Sequence, residues 1–419
     1  MYILTGRRRD EFLACPELVR MGEGTDPPVL MLKTTTLSAK YLLRSTKIRV
    51  AVFRVGGYLL YGLLFNDGHL EEAVRWSLIE EPHELESFRA LSSHGSLRLA
   101  VFNEAAVCVA IGDLTVSNAP TSLLAFCQGV EPYPFRPDGV DLSTADEADS
   151  RLEQLLGGTL SANEGIFIDV TPPATWAPVK NHFITNNAAA GLVSLFDADE
   201  GNQQEALAQW LVDELSPEGA IRSPQVDERG NVRELTDILL THPYGNVLFE
   251  SKALSLLARP TLPPRERLTQ QTVSHISKAA RQLAGAARNI AAGLCIMDRA
   301  GNVIRVDRTQ PPHLVILIPE LSLIAGREEV GLPFFQSVMQ NTGGFLHILD
   351  PNELLRIVQA GSMIAARGRT TTPMMAFDNW LMRRSEHLMK VGHPYFHVLL
   401  RFDEERGDER PEGQDSSDR

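Results

Sequence analysis

The chain contains few cysteines, and they are widely spaced. Its 419 residues include Cys15, Cys108, Cys127 and Cys295, and no two of them form a Cys-x-x-Cys pair. A disulfide framework or a cysteine-based zinc site needs cysteines at short, regular spacing. The sequence therefore argues against both, and we expect reduced, partly buried thiols.

Long apolar runs and nucleotide-binding motifs are also missing. No segment approaches the roughly 18 to 20 apolar residues that span a bilayer, and the stretch 1–9 lacks the apolar core of a secretory signal. We therefore expect a cytoplasmic protein without a membrane partner. Gly56-Gly57 and Gly343-Gly344 stand outside the contexts of phosphate-binding loops, so an ATP-driven step would belong to another protein.

Basic residues are outnumbered by acidic ones over the whole chain, 40 to 53, but they are concentrated in one stretch. The formal net charge is −13, which by itself disfavours a nucleic-acid partner. Between Ser251 and Met297, however, Glu266 is the only acid, and it stands among seven bases: Lys252, Arg259, Arg265, Arg267, Lys278, Arg281 and Arg288. This stretch is a basic island in an acidic chain.

The length predicts two domains, because 419 residues with 43 % hydrophobic composition exceed the usual size of one core. We expect an N-terminal α+β accessory domain over 1–140. A Pro/Gly-rich linker region should follow over 141–187, interrupted by a helix at about Ala145–Leu156 and a strand at Gly165–Val170. A second domain should span 188–402, followed by an acidic, disordered tail over 403–419.

In the first domain, Ile48–Val55 and Tyr58–Phe65 alternate like strands on either side of Gly56-Gly57, which predicts a hairpin. The stretch 70–91 is typical of a helix interrupted at Pro82. No catalytic constellation is visible here, because the polar cluster at 67–72 fits a solvated turn. The role of this domain stays open.

The second domain is organised around the segment 234–252. Strands at Leu235–Thr241 and Asn246–Ser251 are predicted, joined by a turn that contains Pro243 and Gly245. The side-chain period of two places Glu250 and Lys252 on one face, and Asp237 faces the same point if the strands pair as a hairpin. Charged groups that converge in an apolar segment are usually paired, metal-bound or catalytic.

Periodicity also predicts the elements around this segment. They are a helix at 205–215, a long helix at Thr269–Ala292, strands at 313–318, 345–349 and 395–400, and a helix at 352–360 capped by Asp350.

The order Asp237, Glu250-x-Lys252 resembles the core motif of the PD-(D/E)XK nuclease superfamily, with Thr236 in place of the proline. The resemblance covers roughly residues 190 to 400. It implies an α/β, restriction-endonuclease-like core, a mixed sheet flanked by helices. It also implies an Mg²⁺- or Mn²⁺-dependent nuclease acting on DNA rather than RNA, in restriction, phage defence or repair.

The resemblance further implies roles for individual residues. Asp237, Glu250 and the carbonyl of Ser251 would hold the metal, and Lys252 would stand beside the attacking water. A helical glutamate would assist, with Glu205 favoured over Glu214. Substrate contacts would come from the long helix, at Lys278, Arg281, Gln282 and Arg288.

Other interpretations fit the same residues. Asp237, Glu250 and Lys252 could form an ordinary cross-strand ion pair. The chain could be a non-catalytic nucleic-acid-binding or scaffold protein that keeps the nuclease fold, or a protein-binding regulator with a coincidental motif. We expect structural roles for the histidines at 387, 393 and 397. A homodimer or a partner protein from the same system also stays open.

Overall fold

The computed structural model describes residues 4–69, 71–117, 122–134, 140–184, 190–228, 230–256, 259, 261–368 and 370–394. The strand predicted at 395–400 and the tail predicted at 403–419 lie outside the described residues. The protein has mixed α/β structure, with a curved N-terminal sheet and C-terminal mixed sheets packed against helices. Within the described ranges, no helix is long and apolar enough to cross a membrane.

The N-terminal region is built mainly of strands. Its strands are β1 (Leu18–Thr25), β2 (Pro28–Lys33), β3 (Ile48–Val55), β4 (Tyr58–Phe65), β5 (Ala73–Leu78), β6 (Ser96–Phe102), β7 (Cys108–Val116), β8 (Gly165–Thr171) and β9 (Ala177–Pro178). Its helices are α1 (Gly6–Ala14), α2 (Thr36–Arg44), α3 (Pro82–His94), α4 (Ser122–Phe126) and α5 (Leu142–Leu156). A short hairpin of β10 (Asn181–Ile184) and β11 (Ala190–Val193) follows.

The N-terminal sheet curves until it is nearly closed. Its strand order is β1-β2-β6-β7-β8-β3-β4-β5, and β9 pairs with β7. The two ends of this order meet, because Ser77 of β5 donates to the Val19 carbonyl of β1 at 2.6 Å. Arg20 of β1 donates in return to the Leu78 carbonyl at 2.9 Å. One continuous apolar core, including Leu32, Tyr61 and Phe88, lies against this sheet.

Two predictions for this region had different outcomes. The β3–β4 hairpin is confirmed, with Val55 opposite Tyr58 and Gly56 at φ 56° in the turn. The helix predicted over 70–91 is wrong in its first half, where β5 pairs antiparallel with β4. Pairing with a neighbouring strand supplies the backbone hydrogen bonds there, so tertiary context overrides local propensity. Pro82 begins α3 rather than interrupting a helix.

The segment 141–187 contains α5 and β8, in agreement with the helix and the strand predicted within it. Strand β8 lies between β7 and β3 and pairs antiparallel with both. Its alternating side chains at Ile166, Ile168 and Val170 are buried in the N-terminal core. The turn-forming residues that suggested a linker lie in the connections around this strand.

The C-terminal region alternates helices and strands. Its helices are α6 (Glu200–Asp213), α7 (Arg265–Ala291), α8 (Leu332–Thr342), α9 (Pro351–Arg367) and α10 (Pro373–Val391). Its strands are β12 (Gly219–Arg222), β13 (Gln225–Glu228), β14 (Asn231–Glu234), β15 (Ile238–His242), β16 (Gly245–Ser251), β17 (Ile296–Met297), β18 (His313–Leu317) and β19 (Phe345–Leu349). Short 3₁₀ turns at Leu321–Ile324 and Glu328–Val330 precede α8.

The main C-terminal sheet has the order β12-β15-β16-β18-β19. The first three strands are antiparallel, whereas β18 and β19 run parallel to β16. Helices α6, α9 and α10 pack on one face, and α7 and α8 pack on the other. The predicted order of helix, two strands, long helix and strand is therefore observed. A smaller sheet, β14-β13-β17, lies beside this core.

Side chains on α7 and at the start of α9 follow the sequence pattern with one difference. The predicted apolar stripe of α7 is buried, at Ile276, Ala280, Leu283, Ala287 and Ile290. Asp350 caps α9 by accepting the Glu353 backbone N–H at 2.8 Å. The Glu353 carboxylate does not complete a capping box, because it pairs with Arg384 of α10 at 2.9 Å.

Candidate active site

The β15–β16 hairpin places the two predicted carboxylates opposite each other. Ile238 pairs with Phe249, so one residue further along the ladder Asp237 faces Glu250. Directly opposite residues share a face of the sheet. The turn is formed by Pro243 and Tyr244, and Gly245 follows at φ 143°. This positive φ favours glycine, and the two-residue length of the turn sets the register that aligns the two acids.

Lys252 lies between the two carboxylates. Its Nζ is 2.6 Å from Glu250 Oε2 and 3.7 Å from Asp237 Oδ2. The same Asp237 oxygen accepts the Ser251 backbone N–H at 2.6 Å. The Glu250 side chain is 2 % exposed, whereas those of Asp237 and Lys252 are each 16 % exposed, so the group opens to solvent on the side of Asp237 and Lys252.

The two acids hold more negative charge than Lys252 compensates. Burial and then the charge of Asp237 raise the pKa of Glu250 to about 7, although Lys252 opposes this shift. Burial also raises the pKa of Asp237, while Lys252 and the Ser251 N–H lower it. The nearby carboxylate of Glu234 raises both pKa values. The site therefore favours an additional positive charge.

The two candidate glutamates, Glu205 and Glu214, have different charged neighbours. Glu205 of α6 acts electrostatically on Asp237 and raises its pKa. Its carboxylate is bound by Arg222 of β12 at 2.8 Å. Glu214 follows the last residue of α6, and the charges that act on it are those of Arg9 and Asp213. Glu205 is therefore the glutamate beside the carboxylate pair.

The four predicted substrate contacts lie on α7 but do not share one side. Lys278, Arg281, Gln282 and Arg288 are all exposed. Successive helical residues are about 100° apart around the axis. Relative to His275, this places Lys278 and Gln282 within about 60° and the two arginines about 120° to 140° away.

His275 marks the side of α7 that faces the site. Its pKa is lowered by burial and then by the charges of Lys252 and Lys278, which both lie near it. Its Nδ1 is buried without a hydrogen-bond partner among the described residues. The sequence shows His275 only as part of a polar stripe, because nothing local indicates that α7 turns this residue toward Lys252. Lys278 and Gln282 share its side, and Arg281 and Arg288 do not.

The donor atoms present fit a hard divalent cation. No group of three or more His, Cys, Asp and Glu side chains in the described part of the chain is arranged to hold a metal ion. Two carboxylates and a backbone carbonyl suit Mg²⁺, which keeps several waters and takes one or two protein carboxylates. The uncompensated negative charge of Asp237 and Glu250 provides the electrostatic reason for such binding.

The chain was compared with family models, curated proteins and solved structures. No protein family model matches it. No curated protein matches its sequence. A solved structure found in this comparison is that of Pyrococcus furiosus SfsA in complex with Ca²⁺, at 12 % identity over 72 % of this chain and 88 % of that chain. The TM-score is 0.17, which is too low to show a shared fold.

Proposed function

We propose that the C-terminal region is a metal-dependent nuclease of the PD-(D/E)XK type that hydrolyses phosphodiester bonds in DNA. The observation that carries the proposal is the convergence of Asp237, Glu250 and Lys252 at the end of the β15–β16 hairpin, with Lys252 Nζ 2.6 Å from Glu250. An isolated cross-strand ion pair also brings a lysine to a carboxylate. It does not account for a second buried carboxyl group that leaves negative charge uncompensated.

In this proposal Asp237, Glu250 and the Ser251 carbonyl hold Mg²⁺ or Mn²⁺. The cation supplies Lewis-acid stabilisation of the phosphate and lowers the pKa of a bound water. Lys252 places its ammonium group where negative charge develops during phosphoryl transfer. Its contacts with Glu250 and Asp237 orient it before the substrate arrives, which reduces the reorganisation needed in the reaction.

The α7 side that carries His275 supplies the DNA contacts nearest the reacting phosphate. Lys278 is exposed on this side, one helical turn from His275, and Gln282 follows about one turn later. Lysine–phosphate contacts give binding that weakens with salt and depends little on sequence. Arg281 and Arg288 would contact phosphates further from the site.

Cleavage of supercoiled and linear DNA tests the proposal. The purified protein is incubated with Mg²⁺, Mn²⁺ or EDTA beside Glu250→Gln and Lys252→Ala variants. We expect metal-dependent cleavage by the wild type and a rate reduced about 10²-fold or more in each variant, with much of the DNA binding retained. DNA binding without cleavage under all conditions would favour a non-catalytic binding module, and absence of binding would contradict the proposal.

The same cleavage assay tests whether Glu205 of α6, and not Glu214 at the end of that helix, belongs to the site. Glu205→Gln removes the charge beside Asp237 and should slow cleavage. Glu214→Gln is the matched control on the same helix, and it should leave cleavage unchanged. Equal rates for the two variants would remove Glu205 from the proposed site.

A further inference from the structure

Three buried histidines and an aspartate form a second cluster in the C-terminal region. His313 Nδ1 lies 3.0 Å from His347 Nε2, and His313 Nε2 lies 3.3 Å from Asp378 Oδ1. His242 Nε2 lies 4.0 Å from the same Asp378 oxygen. The side chains of His242 and His313 are 0 % and 5 % exposed, and that of Asp378 is 22 % exposed.

The cluster joins one helix to three strands. His242 ends β15, His313 begins β18, and His347 lies in β19. Alternation along these strands puts all three on the face that carries Leu240, Val315 and Leu349, which is the face covered by α10. Asp378 belongs to α10, so its carboxylate links this helix to the sheet. The carboxylate pair of the candidate active site lies at the opposite end of the β15–β16 hairpin.

The backbone N–H of Tyr244 and the carboxylate of Asp378 decide which imidazole nitrogens of the cluster donate hydrogen bonds and which accept them. The Tyr244 backbone N–H donates to His242 Nδ1 at 3.3 Å, so a neutral His242 carries its proton on Nε2. This nitrogen is buried without a hydrogen-bond partner among the described residues, 4.0 Å from Asp378 Oδ1. An ionised Asp378 only accepts hydrogen bonds and therefore takes the His313 Nε2–H. His313 Nδ1 then accepts from His347 Nε2–H. His347 Nδ1 is left buried, without a partner among the described residues.

The charges around the cluster oppose further protonation. Burial, His313 and Arg384 lower the pKa of His347 well below 6.5. Burial is also the largest cause that lowers the pKa of His242. His313 adds to that effect, while Asp378, Glu218 and Asp307 oppose it. A proton on His347 would place a buried positive charge beside His313 and the Arg384 guanidinium, whose own partner is the buried Glu353 carboxylate of α9 at 2.9 Å.

We propose that this cluster is an acid-sensitive latch, which holds α10 on the sheet while His347 is neutral and releases α10 when His347 gains a proton. A histidine whose folded-state pKa is depressed stabilises the closed state above its unfolded pKa of about 6.5, and this contribution is lost as pH falls. Release would expose the apolar sheet face covered by Phe377 and Leu381 of α10. This inference does not depend on the proposed nuclease activity.

Hydrogen exchange of the full-length protein at pH 7.5 and pH 5.5 tests the latch. One histidine that titrates only in the open state, with a pKa of 6.5, increases the opening equilibrium about tenfold over this interval. After correction for intrinsic exchange rates, the α10 amides of the wild type should therefore lose at least about tenfold protection. The β3 and β4 amides of the N-terminal sheet serve as the internal reference and should not change.

In His347→Leu, the loss of α10 amide protection between pH 7.5 and pH 5.5 should be about tenfold smaller than in the wild type, because the titrating group is removed. His347→Gln is the second variant, in case leucine disturbs folding, and should act in the same way. His69→Gln alters an exposed histidine and should retain the wild-type response. The proposal is wrong if wild-type α10 protection is equal at the two pH values, or if both His347 variants retain the full response.

Discussion

Glu250 combines a proposed functional role with a cost in stability. Its side chain is 2 % exposed, and its pKa is raised to about 7 in the folded protein from 4.5. A carboxyl group with a raised folded-state pKa stabilises the protein below its unfolded pKa, and that contribution is lost as pH rises through the folded value. The metal-free protein should therefore lose stability between pH 4.5 and pH 7.

Glu250→Gln is expected to stabilise the metal-free protein while abolishing cleavage. Glutamine keeps the shape and a hydrogen-bond acceptor for Lys252 but carries no charge. The gain in unfolding free energy should reach up to about 3 kcal/mol at pH 8 and be near zero at pH 4.5. Urea denaturation at both pH values measures it. A variant less stable than the wild type at pH 8 would show that the buried charge is already well compensated.

His275 should couple DNA binding to protonation. Burial and then the charges of Lys252 and Lys278 lower the pKa of its imidazole in the free protein, and a bound phosphate between these groups would offset the effect of the two lysines. DNA affinity should therefore rise as pH falls from 8 to 6, by up to about tenfold per pH unit below the bound-state pKa. Fluorescence anisotropy at fixed salt measures this dependence, and His275→Gln should flatten it.

Spacing within one hairpin predicted the pairing of Asp237 with Glu250 and Lys252, because the register of a short turn is a local property. The contact of His275 with the site was not predictable in the same way. It depends on how α7 is rotated against the sheet, and tertiary packing decides that rotation. The same holds for the cluster of His313, His347 and Asp378, whose members come from three separate elements.

Helix α7 differs from the other elements in its distribution of charge. Its buried stripe is apolar and small, and Lys278, Arg281 and Arg288 are exposed on the remaining surface. The long periodic segment made this helix predictable. Strand β8 was predicted, whereas the segment of β5 was assigned to a helix. The backbone hydrogen bonds of β5 come from β4, and its own sequence lacks a strong local signal.

Individual bases of α7 should differ in their effects on the reaction. Lys278→Ala should reduce both cleavage and DNA affinity, because Lys278 shares the side of His275. Arg288→Ala should reduce affinity with a smaller effect on the cleavage rate of bound DNA. Each lost phosphate contact should lower the slope of log affinity against log salt by about 1. Single-turnover cleavage and salt titrations measure these effects.

Lys390→Ala is the matched control for these variants, since Lys390 is exposed at the end of α10. It should leave both the salt slope and the cleavage rate unchanged. Identical behaviour of Lys278→Ala and Lys390→Ala would contradict the assignment of the His275 side to DNA.

At the scale of the whole molecule, the N-terminal region packs against the start of α7. Arg265 donates to the Asp67 carbonyl at 3.0 Å and to Glu320 Oε1 at 2.6 Å. Leu37 and Tyr41 of α2 share an apolar cluster with Leu254 and Leu256, which follow Lys252. The segment that carries the proposed catalytic lysine is therefore anchored partly by the N-terminal region. No sequence pattern predicted this, because the contacting residues are about 200 positions apart.

Arg265→Met should destabilise the protein by about 3–5 kcal/mol, because it leaves the buried Asp67 and Glu320 carboxylates without their partner. Arg327→Met is the matched control, since Arg327 pairs with the exposed Glu266, and it should cost less than about 1 kcal/mol. Urea denaturation of both variants at pH 7 measures the difference. Equal effects would show that the contact between the two regions contributes little.

The most direct test that Asp237 and Glu250 form a metal site is calorimetric titration with Mn²⁺ at pH 7. Repeating the titration in buffers of different ionisation enthalpy gives the number of protons released on binding. Because the pKa of Glu250 is about 7, close to half of the molecules carry its proton at pH 7. Binding of one Mn²⁺ should therefore release about half a proton, and Glu250→Gln should abolish both binding and release. Mn²⁺ binding that survives unchanged in Glu250→Gln, or no binding by the wild type, would contradict the account.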